Sequence, residues 1–531
     1  MEGHLSNKGD GIMFATLGKI FDQTVNNYPK REALVDLKKN KRWTYEEWGA
    51  DVCRLSNALL AVGVEKGDRV STFLFNTSEL ATTLFATAKI GAVFNPINFR
   101  LKSEELSYIL KDASPKVVLF EEQLAGVVTS IQADFPKIQF WYIDDESPDY
   151  AESYEGNVAK ASVADPQIKV DEMDTYAIMY TSGTTGSPKG VVHRHRAMAE
   201  QSMICITALK CSKNDVGLVV APMFHCAELH CNVIPRVQAG AKSVIMHQFN
   251  PAKALKTIEE EKISIMFAAP TMWNMILQED VSAFNIESLR LGLYGAAPMA
   301  PVLVNEVEKV LAIDLVQAYG QTEMGPAIAF LMEDEQLTKA GSAGKACYNH
   351  EIIVVRANTD GPSNPADIMP PGEVGEILVK GPCMMVGYYN REEETNEAIN
   401  QGWYHTSDLG YVDKDGYLYI ADRVDDMIIS GGENIYPREV EDILHEHKSV
   451  LDVAVFGVPD ENWGERVVAV VVSKDPALTV EDLENFCKTH DKLARYKRPR
   501  AYKFVEELPR NASGKIQKFL MREEIVEKIL K

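Results

Sequence analysis

Tyr180-Thr181-Ser182-Gly183-Thr184-Thr185-Gly186-Ser187-Pro188-Lys189-Gly190-Val191-Val192 sets five Ser and Thr hydroxyls, three glycines and a lysine between two strand-forming runs. Amides freed by Gly183, Gly186 and Gly190 can turn toward anionic oxygens, the hydroxyls add donors, and Lys189 supplies a mobile point charge. Residues 176–180 are apolar and read as a buried strand, so the loop leaves the end of a sheet, where nucleotide sites of α/β folds sit. The loop is not of the Walker type, which needs Gly-Lys-Ser/Thr opening a helix; Lys189 follows Pro188 and precedes the β-favouring pair Val191 and Val192. Taken alone, the composition also suits a surface linker. The surrounding sequence decides for a triphosphate.

Outward from this loop, strand-like and helical patterns alternate. Residues 69–75 read as a strand, 79–90 as a helix and 92–96 as a strand, and further strands are expected at 116–120, 216–221, 242–246 and 263–268. That rhythm favours layered α/β architecture, with strands at a Gly-punctuated stretch over 371–389 adding a β-rich subdomain. The charged cluster Asp422-Arg423-Val424-Asp425-Asp426 marks a boundary. Beyond it, helices at 437–447 and 480–490 and strands at 453–458 and 466–473 suffice for a compact α+β domain of about 100 residues. The expected division is a large domain over 1–424 and a small mobile one over 425–531.

At 531 residues the chain exceeds what one core usually organises, and 46% apolar with 25% charged residues is an ordinary globular balance. A formal net charge of -22 argues against a nucleic-acid partner, so local basic groups must meet any anionic ligand. The eight cysteines are scattered without a Cys-x-x-Cys pair, which suits free thiols in a reducing compartment. Residues 1–11 lack an apolar signal core, and no run of eighteen apolar residues offers a membrane span. A cytoplasmic enzyme is expected, with peripheral membrane contact and a homodimer left open.

Three further segments carry chemistry. In Tyr319-Gly320-Gln321-Thr322-Glu323, Gly320 permits close backbone approach, Thr322 can bond a phosphate oxygen and Glu323 can hold Mg²⁺; on its own, Thr-Glu after glycine is a turn. Asp408, in His405-Thr406-Ser407-Asp408, suits both hydroxyls of a ribose, and Arg423 can join it there or form a surface ion pair. In Leu508-Pro509-Arg510-Asn511-Ala512-Ser513-Gly514-Lys515-Ile516 a lysine sits on a Ser-Gly turn, either reaching away from its own domain or simply solvated.

Together these segments resemble the adenylate-forming superfamily of acyl-CoA synthetases, adenylation domains and beetle luciferases, over essentially the whole chain and with at least five motifs in order. The resemblance implies a large domain and a C-terminal lid hinged at Asp425, where many relatives have lysine and acetyl-CoA synthetase-like ones have aspartate. It implies a nucleotide site of Thr181, Ser182, Gly183, Thr184, Thr185 and Lys189, of Gly295, Ala296 and Ala297 beside the adenine, and of Gln317, Ala318, Tyr319, Gly320, Thr322, Asp408 and Arg423. Mg²⁺ would be held by Thr181 and Glu323. Lys515 would contact carboxylate and α-phosphate, and Gly431 and Gly432 would flank a pantetheine tunnel. Ser407 departs from the pattern, since glycine is commoner before the ribose aspartate.

By the same resemblance, a carboxylic acid and ATP give acyl-AMP and pyrophosphate, and coenzyme A then gives acyl-CoA and AMP. An acyl pocket is expected from Met223, His225, Leu229, Gly325 and Ala327, with His225 as a gate near the carboxylate; a lone histidine in an apolar setting is as readily a packed residue. The absence of an Asp or Lys partner for a charged tail favours a medium- to long-chain fatty acid, with an aryl acid of the cinnamate or benzoate type as the alternative. Carrier-protein loading and luciferase-like oxygenation are the rival chemistries.

Overall fold

The computed structural model describes residues 16–181, 188–297, 299–358, 361–423, 426–430, 433–460, 463–490, 493–510, 516–518, 520–522 and 525. Among them lie four sheets. An eight-stranded sheet runs, edge to edge, through Gly387–Tyr388, Lys189–Arg194, Thr175–Thr181, Val93–Ile97, Arg69–Phe73, Val117–Phe120, Gln139–Tyr142 and Glu152–Ser153. A nine-stranded sheet runs through Lys345–Ala346, Ala327–Leu331, Asp314–Gly320, Leu291–Gly295, Ile265–Phe267, Val216–Val219, Lys242–Ile245, Glu32–Asp36 and Lys41–Thr44. Their inner strands are parallel and buried on both faces, which is why they read as continuous apolar runs rather than as alternations.

Helices fill the space between the two sheets, so that Phe94 and Met179 of one share a core with Leu34 and Val219 of the other. The helix Ser78–Ile90 is buried on every side. It tolerates that because Thr82, Thr83 and Thr87 return their hydroxyl protons to the carbonyls of Ser78, Glu79 and Thr83, leaving no unmet donor. Thr77 caps its start and Gly91, at φ 70°, ends it.

The β-rich subdomain appears as a five-stranded antiparallel sheet of Glu351–Val355, Gly375–Lys380, Trp403–Val412, Ile399–Asn400 and Leu418–Arg423. In the C-terminal region the long hairpin Val450–Asp460 with Gly464–Ser473 packs against helices Pro437–His445 and Val480–Thr489. The large and small domains thus have the α/β and α+β characters expected, and strand and helix limits differ from expectation by only a few residues. The hinge position Asp425 lies outside the described residues.

One local feature was not anticipated. After the short helix Cys226–Glu228 the chain runs through a π-helical turn, Leu229–Val233, into the helix Ile234–Ala239. Glu228 and Arg236 straddle it, fully buried, with Arg236 Nη2 2.9 Å from Glu228 Oε1. Space for the guanidinium exists because residue 217 is glycine: a Cβ there would lie 2.0 Å from Arg236 Nη1. Burial raises the Glu228 carboxyl to about 7, against the opposing pull of Arg236.

Because this folded-state value lies above the ordinary 4.5, the carboxyl contributes stability that is complete below about 4.5 and is lost as pH rises through about 7. Thermal midpoints measured from pH 4.5 to 7.5 are expected to fall across that window by more in the wild type than in Glu228→Gln. Equal slopes would contradict the assignment.

Candidate active site

The strands Thr175–Thr181 and Lys189–Arg194, on either side of the hydroxyl-rich stretch, are antiparallel neighbours in which Thr181 pairs with Lys189. The second strand is held on the other edge by Gly387–Tyr388, in register with Val192 and Val191, so that the Lys189 ammonium lies 4.6 Å from the centre of the Tyr388 ring. The same ring's hydroxyl donates to Glu323 Oε1 at 2.8 Å, and Met385 N donates to the Glu323 carbonyl at 2.7 Å. Tyr388 therefore ties the lysine of the hairpin to the carboxylate of the Thr-Glu turn. Sequence reasoning missed it, since nothing local distinguishes Tyr388 from its neighbour Tyr389.

The turn that carries Glu323 is unusually tight. Gln321 N donates to Pro326 O at 3.0 Å, Met324 N to Gln321 O at 2.9 Å and Gly325 N to Thr322 O at 3.0 Å. Residue 320 must be glycine, because a Cβ would fall 2.0 Å from Pro326 O. Beside it, Tyr319 OH and Gln321 Nε2 both donate to Asp408 Oδ2, at 2.6 and 2.7 Å, while Tyr404 OH fixes Gln321 Oε1 at 2.5 Å. Ser407 holds φ 56°, a left-handed conformation that explains the commoner glycine there; serine adopts it at a cost of roughly 1–2 kcal/mol. Asp408 is nonetheless fixed, its amide bonded to Thr406 Oγ1 at 3.0 Å, and it pairs across the ladder with Arg423.

One cavity of about 970 Å³ is lined by Thr181, Lys189, Gly295, Ala296, Ala318, Tyr319, Gly320, Thr322 and Glu323, and by Thr406 and Ser407 next to Asp408; Asp408 and Ala297 themselves are not on its wall. Gly295 and Ala318 are partners on adjacent parallel strands, and the carbonyl of Ala318 would meet a Cβ on Gly295 at 2.5 Å. Gln317 does not join them: it accepts a hydrogen bond from Tyr294 OH at 3.0 Å and turns from the cavity. Arg510 and Gln517, from the C-terminal region, also line it, and Arg510 bridges to Ile516. Ser182, Gly183, Thr184, Thr185, Gly431, Gly432 and Lys515 lie outside the described residues.

The inner wall differs from the expected acyl pocket. His225 and Ala327 line the cavity, whereas Met223 and Leu229 are fully buried in the core between the sheets and Gly325 packs against Met198 and Cys383. The remaining wall is built by Phe224, Cys226, Ala227, Cys231, Phe267 and Leu293. His225 caps its short helix by accepting from Ala227 N through Nδ1, which leaves the proton of the neutral ring on Nε2. Burial lowers it to about 4, so the ring stays neutral at physiological pH. Cys226, pushed up to about 12 by burial, sits 3.3 Å from the Thr322 hydroxyl. The thiol is held protonated.

The Gly320 turn, the Glu323 carboxylate and an apolar stretch of wall thus meet in one cavity. The AMP-binding enzyme family profile matches residues 21–389, and that of the AMP-binding enzyme C-terminal domain matches residues 439–515. The chain belongs to this adenylate-forming family, in its acyl-CoA synthetase branch, and is an AMP-forming acid–CoA ligase. It is 36% identical over 511 residues to the long-chain-fatty-acid–CoA ligase FadD13 of Mycobacterium tuberculosis, covering 96% of this chain and 98% of that one. It is also 36% identical to a feruloyl-CoA synthase of Amycolatopsis sp, covering 90% and 92%. The anthranilate CoA ligase AuaEII, solved with anthranoyl-AMP, superposes with a TM-score of 0.89 at 26% identity, covering 98% and 99%.

Tyr388 can be tested by parts. Tyr388→Phe keeps the ring beside Lys189 and removes the donor to Glu323, and is expected to slow pyrophosphate release about tenfold, as for a lost charge-assisted hydrogen bond. Tyr388→Leu removes both contacts and should be several-fold slower again. Indistinguishable rates for wild type and both variants would show that the tie has no part in the first half-reaction.

Proposed function

We propose that the chain is a CoA ligase for a carboxylic acid with an uncharged, hydrophobic tail, a medium- to long-chain fatty acid being the leading substrate. The observation that carries this reading is the apolar set Ala227, Cys231, Phe267, Leu293 and Ala327 on the cavity wall, which elsewhere in its lining also carries Arg100, Glu105, Glu376, Glu394 and Glu397. An aryl acid is the second reading, favoured by Phe267 on that wall and by the similarity to feruloyl-CoA and anthranilate CoA ligases.

The substrate carboxylate is ionised at neutral pH, so attack on the α-phosphate of ATP needs no general base, and the barrier lies in bringing an anion to a polyanion. Lys189 and the hairpin would hold the departing pyrophosphate. Asp408, its Oδ2 fixed by Tyr319 and Gln321, would receive the ribose hydroxyls with Arg423, and the Gly295–Ala297 stretch would flank the adenine. His225, with its proton on Nε2, would orient the carboxylate. Glu323 and Thr181, hard oxygen donors that both line the cavity, would hold Mg²⁺ there. When bound, Mg²⁺ neutralises phosphate charge.

Lys515 would bridge carboxylate and α-phosphate in this step. Its placement there is supported by Arg510 and Gln517, which bracket its segment and line the same cavity. For the second step the lid, hinged at Asp425 between domains 1–424 and 425–531, would turn so that Gly431 and Gly432 admit the pantetheine thiol. Among the described residues no helix is long and apolar enough to cross a membrane.

The direct test is purified protein with ATP, Mg²⁺ and a panel of acids, with and without CoA, following pyrophosphate, AMP and free thiol. Thiol loss is expected with alkanoic acids; thiol loss confined to aryl acids would move the assignment to the second reading. Lys515→Ala is expected to lower adenylate formation by roughly a hundredfold or more while sparing thioester formation from supplied acyl-AMP. Equal damage to both half-reactions would remove Lys515 from the role given it.

A further inference from the structure

The turn bearing Thr322 and Glu323 meets a second set of contacts, from residues that do not line the cavity and that the mechanism above leaves unused. His193 lies on the strand Lys189–Arg194, four residues beyond the hairpin lysine, and its Nε2 is 2.8 Å from the carbonyl oxygen of Thr322. His230 lies within the π-helical turn Leu229–Val233, and its Nδ1 is 3.1 Å from the carbonyl oxygen of Gly325. Both side chains are fully buried, and their rings meet edge to face at 5.8 Å.

A carbonyl oxygen only accepts, so each geometry fixes where the proton sits. His193 must carry it on Nε2, which agrees with Nδ1 being buried without a hydrogen-bond partner. His230 must carry it on Nδ1, leaving Nε2 to accept from Tyr176 OH at 3.5 Å. The two rings thus hold opposite tautomers, each spending its one donor on a carbonyl of the same four-residue turn. A buried ring N–H left without an acceptor is costly, so both bonds are expected to persist.

The partners of these rings give the contacts their meaning. His193 belongs to the strand that begins at Lys189, and His230 belongs to the helical segment that supplies His225, Cys226, Ala227 and Cys231 to the cavity wall. Through two hydrogen bonds the strand that begins at Lys189 and the helical segment of the cavity wall are both referenced to one turn, whose Glu323 is also held by Tyr388. A π-turn at this place is understandable, since it alters which side chains of the helix face the turn and which face the cavity.

We propose that His193 and His230 are positioning residues for adenylate formation: they fix the Thr322–Gly325 turn so that the Glu323 carboxylate and Thr322 hydroxyl are aimed at the nucleotide in register with Lys189. The inference rests on the ligase reading of the cavity but not on the identity of the acid. Neither ring lines the cavity, so they act through the turn.

The test uses donor-retaining and donor-removing variants of the full chain. Glutamine can place a donor where His193 Nε2 stands, and asparagine where His230 Nδ1 stands; leucine can do neither. His193→Leu and His230→Leu are expected to slow ATP-dependent pyrophosphate release about 10- to 100-fold with a raised KM for ATP, and to leave thioester formation from supplied acyl-AMP within about threefold of wild type. His193→Gln and His230→Asn should recover most of the loss. Thermal midpoints of all four variants, taken in parallel, show whether a fold defect is present. Leucine variants that damage both half-reactions equally, or donor-retaining variants no better than leucine at matched thermal midpoint, would overturn the proposal. Failure of the ligase reading itself would instead show as no pyrophosphate release from the wild type with any acid.

Discussion

The contact on which the site depends is the closure of the Gly320–Pro326 turn, where the Pro326 carbonyl occupies the space that any side chain at residue 320 would need. Because the chain folds back on itself so closely, Tyr319, Gln321, Thr322 and Glu323, within five positions, reach three different partners. One group reaches Asp408 on the β-rich subdomain, another reaches the hairpin through Tyr388, and a third reaches Cys226 on the cavity wall. Parts from three separate layers are thereby fixed to one short element. Positioning of this kind suits a reaction in which an ionised nucleophile already exists and charge placement is the main task.

The electrostatics follow the same logic. The chain is strongly acidic overall, and the cavity lining carries both signs: Lys189, Arg100 and Arg510, the last paired with Asp452, stand among Glu105, Glu323, Glu376, Glu394 and Glu397. Burial holds the Cys226 thiol protonated beside Thr322, so it offers no rival thiolate, and holds His225 neutral with its Nδ1 lone pair taken by Ala227 N. The buried Glu228–Arg236 pair lies behind this wall, spanning the π-turn that sets its shape.

Much of this was legible in the sequence because the signals were local. The apolar runs flanking residues 181–189, the alternation of strands and helices, and Gly320, Glu323 and Asp408 needed only their neighbours to be read. The acyl wall was not legible in this way. Met223 and Leu229 flank His225 in sequence, but they point into the core between the sheets, and the π-turn after Glu228 shifts the helical facing so that Cys231 lines the cavity instead. Phe267 and Leu293 arrive from two other strands, whose parallel neighbours are separated by whole helices in the chain. Tyr388, His193 and His230 matter through long-range contacts that leave no local pattern. The conformation of Ser407 shows the reverse case, in which a departure from the commoner residue could be seen but its consequence needed the backbone.

The central claim is that one nucleotide is gripped at the Gly320–Pro326 turn with its ribose on Asp408 and its acyl partner running toward Cys231 and Leu293. A crystal structure of the protein with a non-hydrolysable acyl-AMP analogue addresses it most directly. The expected result is ribose hydroxyls within hydrogen-bond distance of the Asp408 carboxylate, adenine against Gly295 and Ala296, and the acyl chain along Phe267 and Leu293 with the turn unmoved. An analogue bound elsewhere, or one seated with its ribose away from Asp408, would contradict the account.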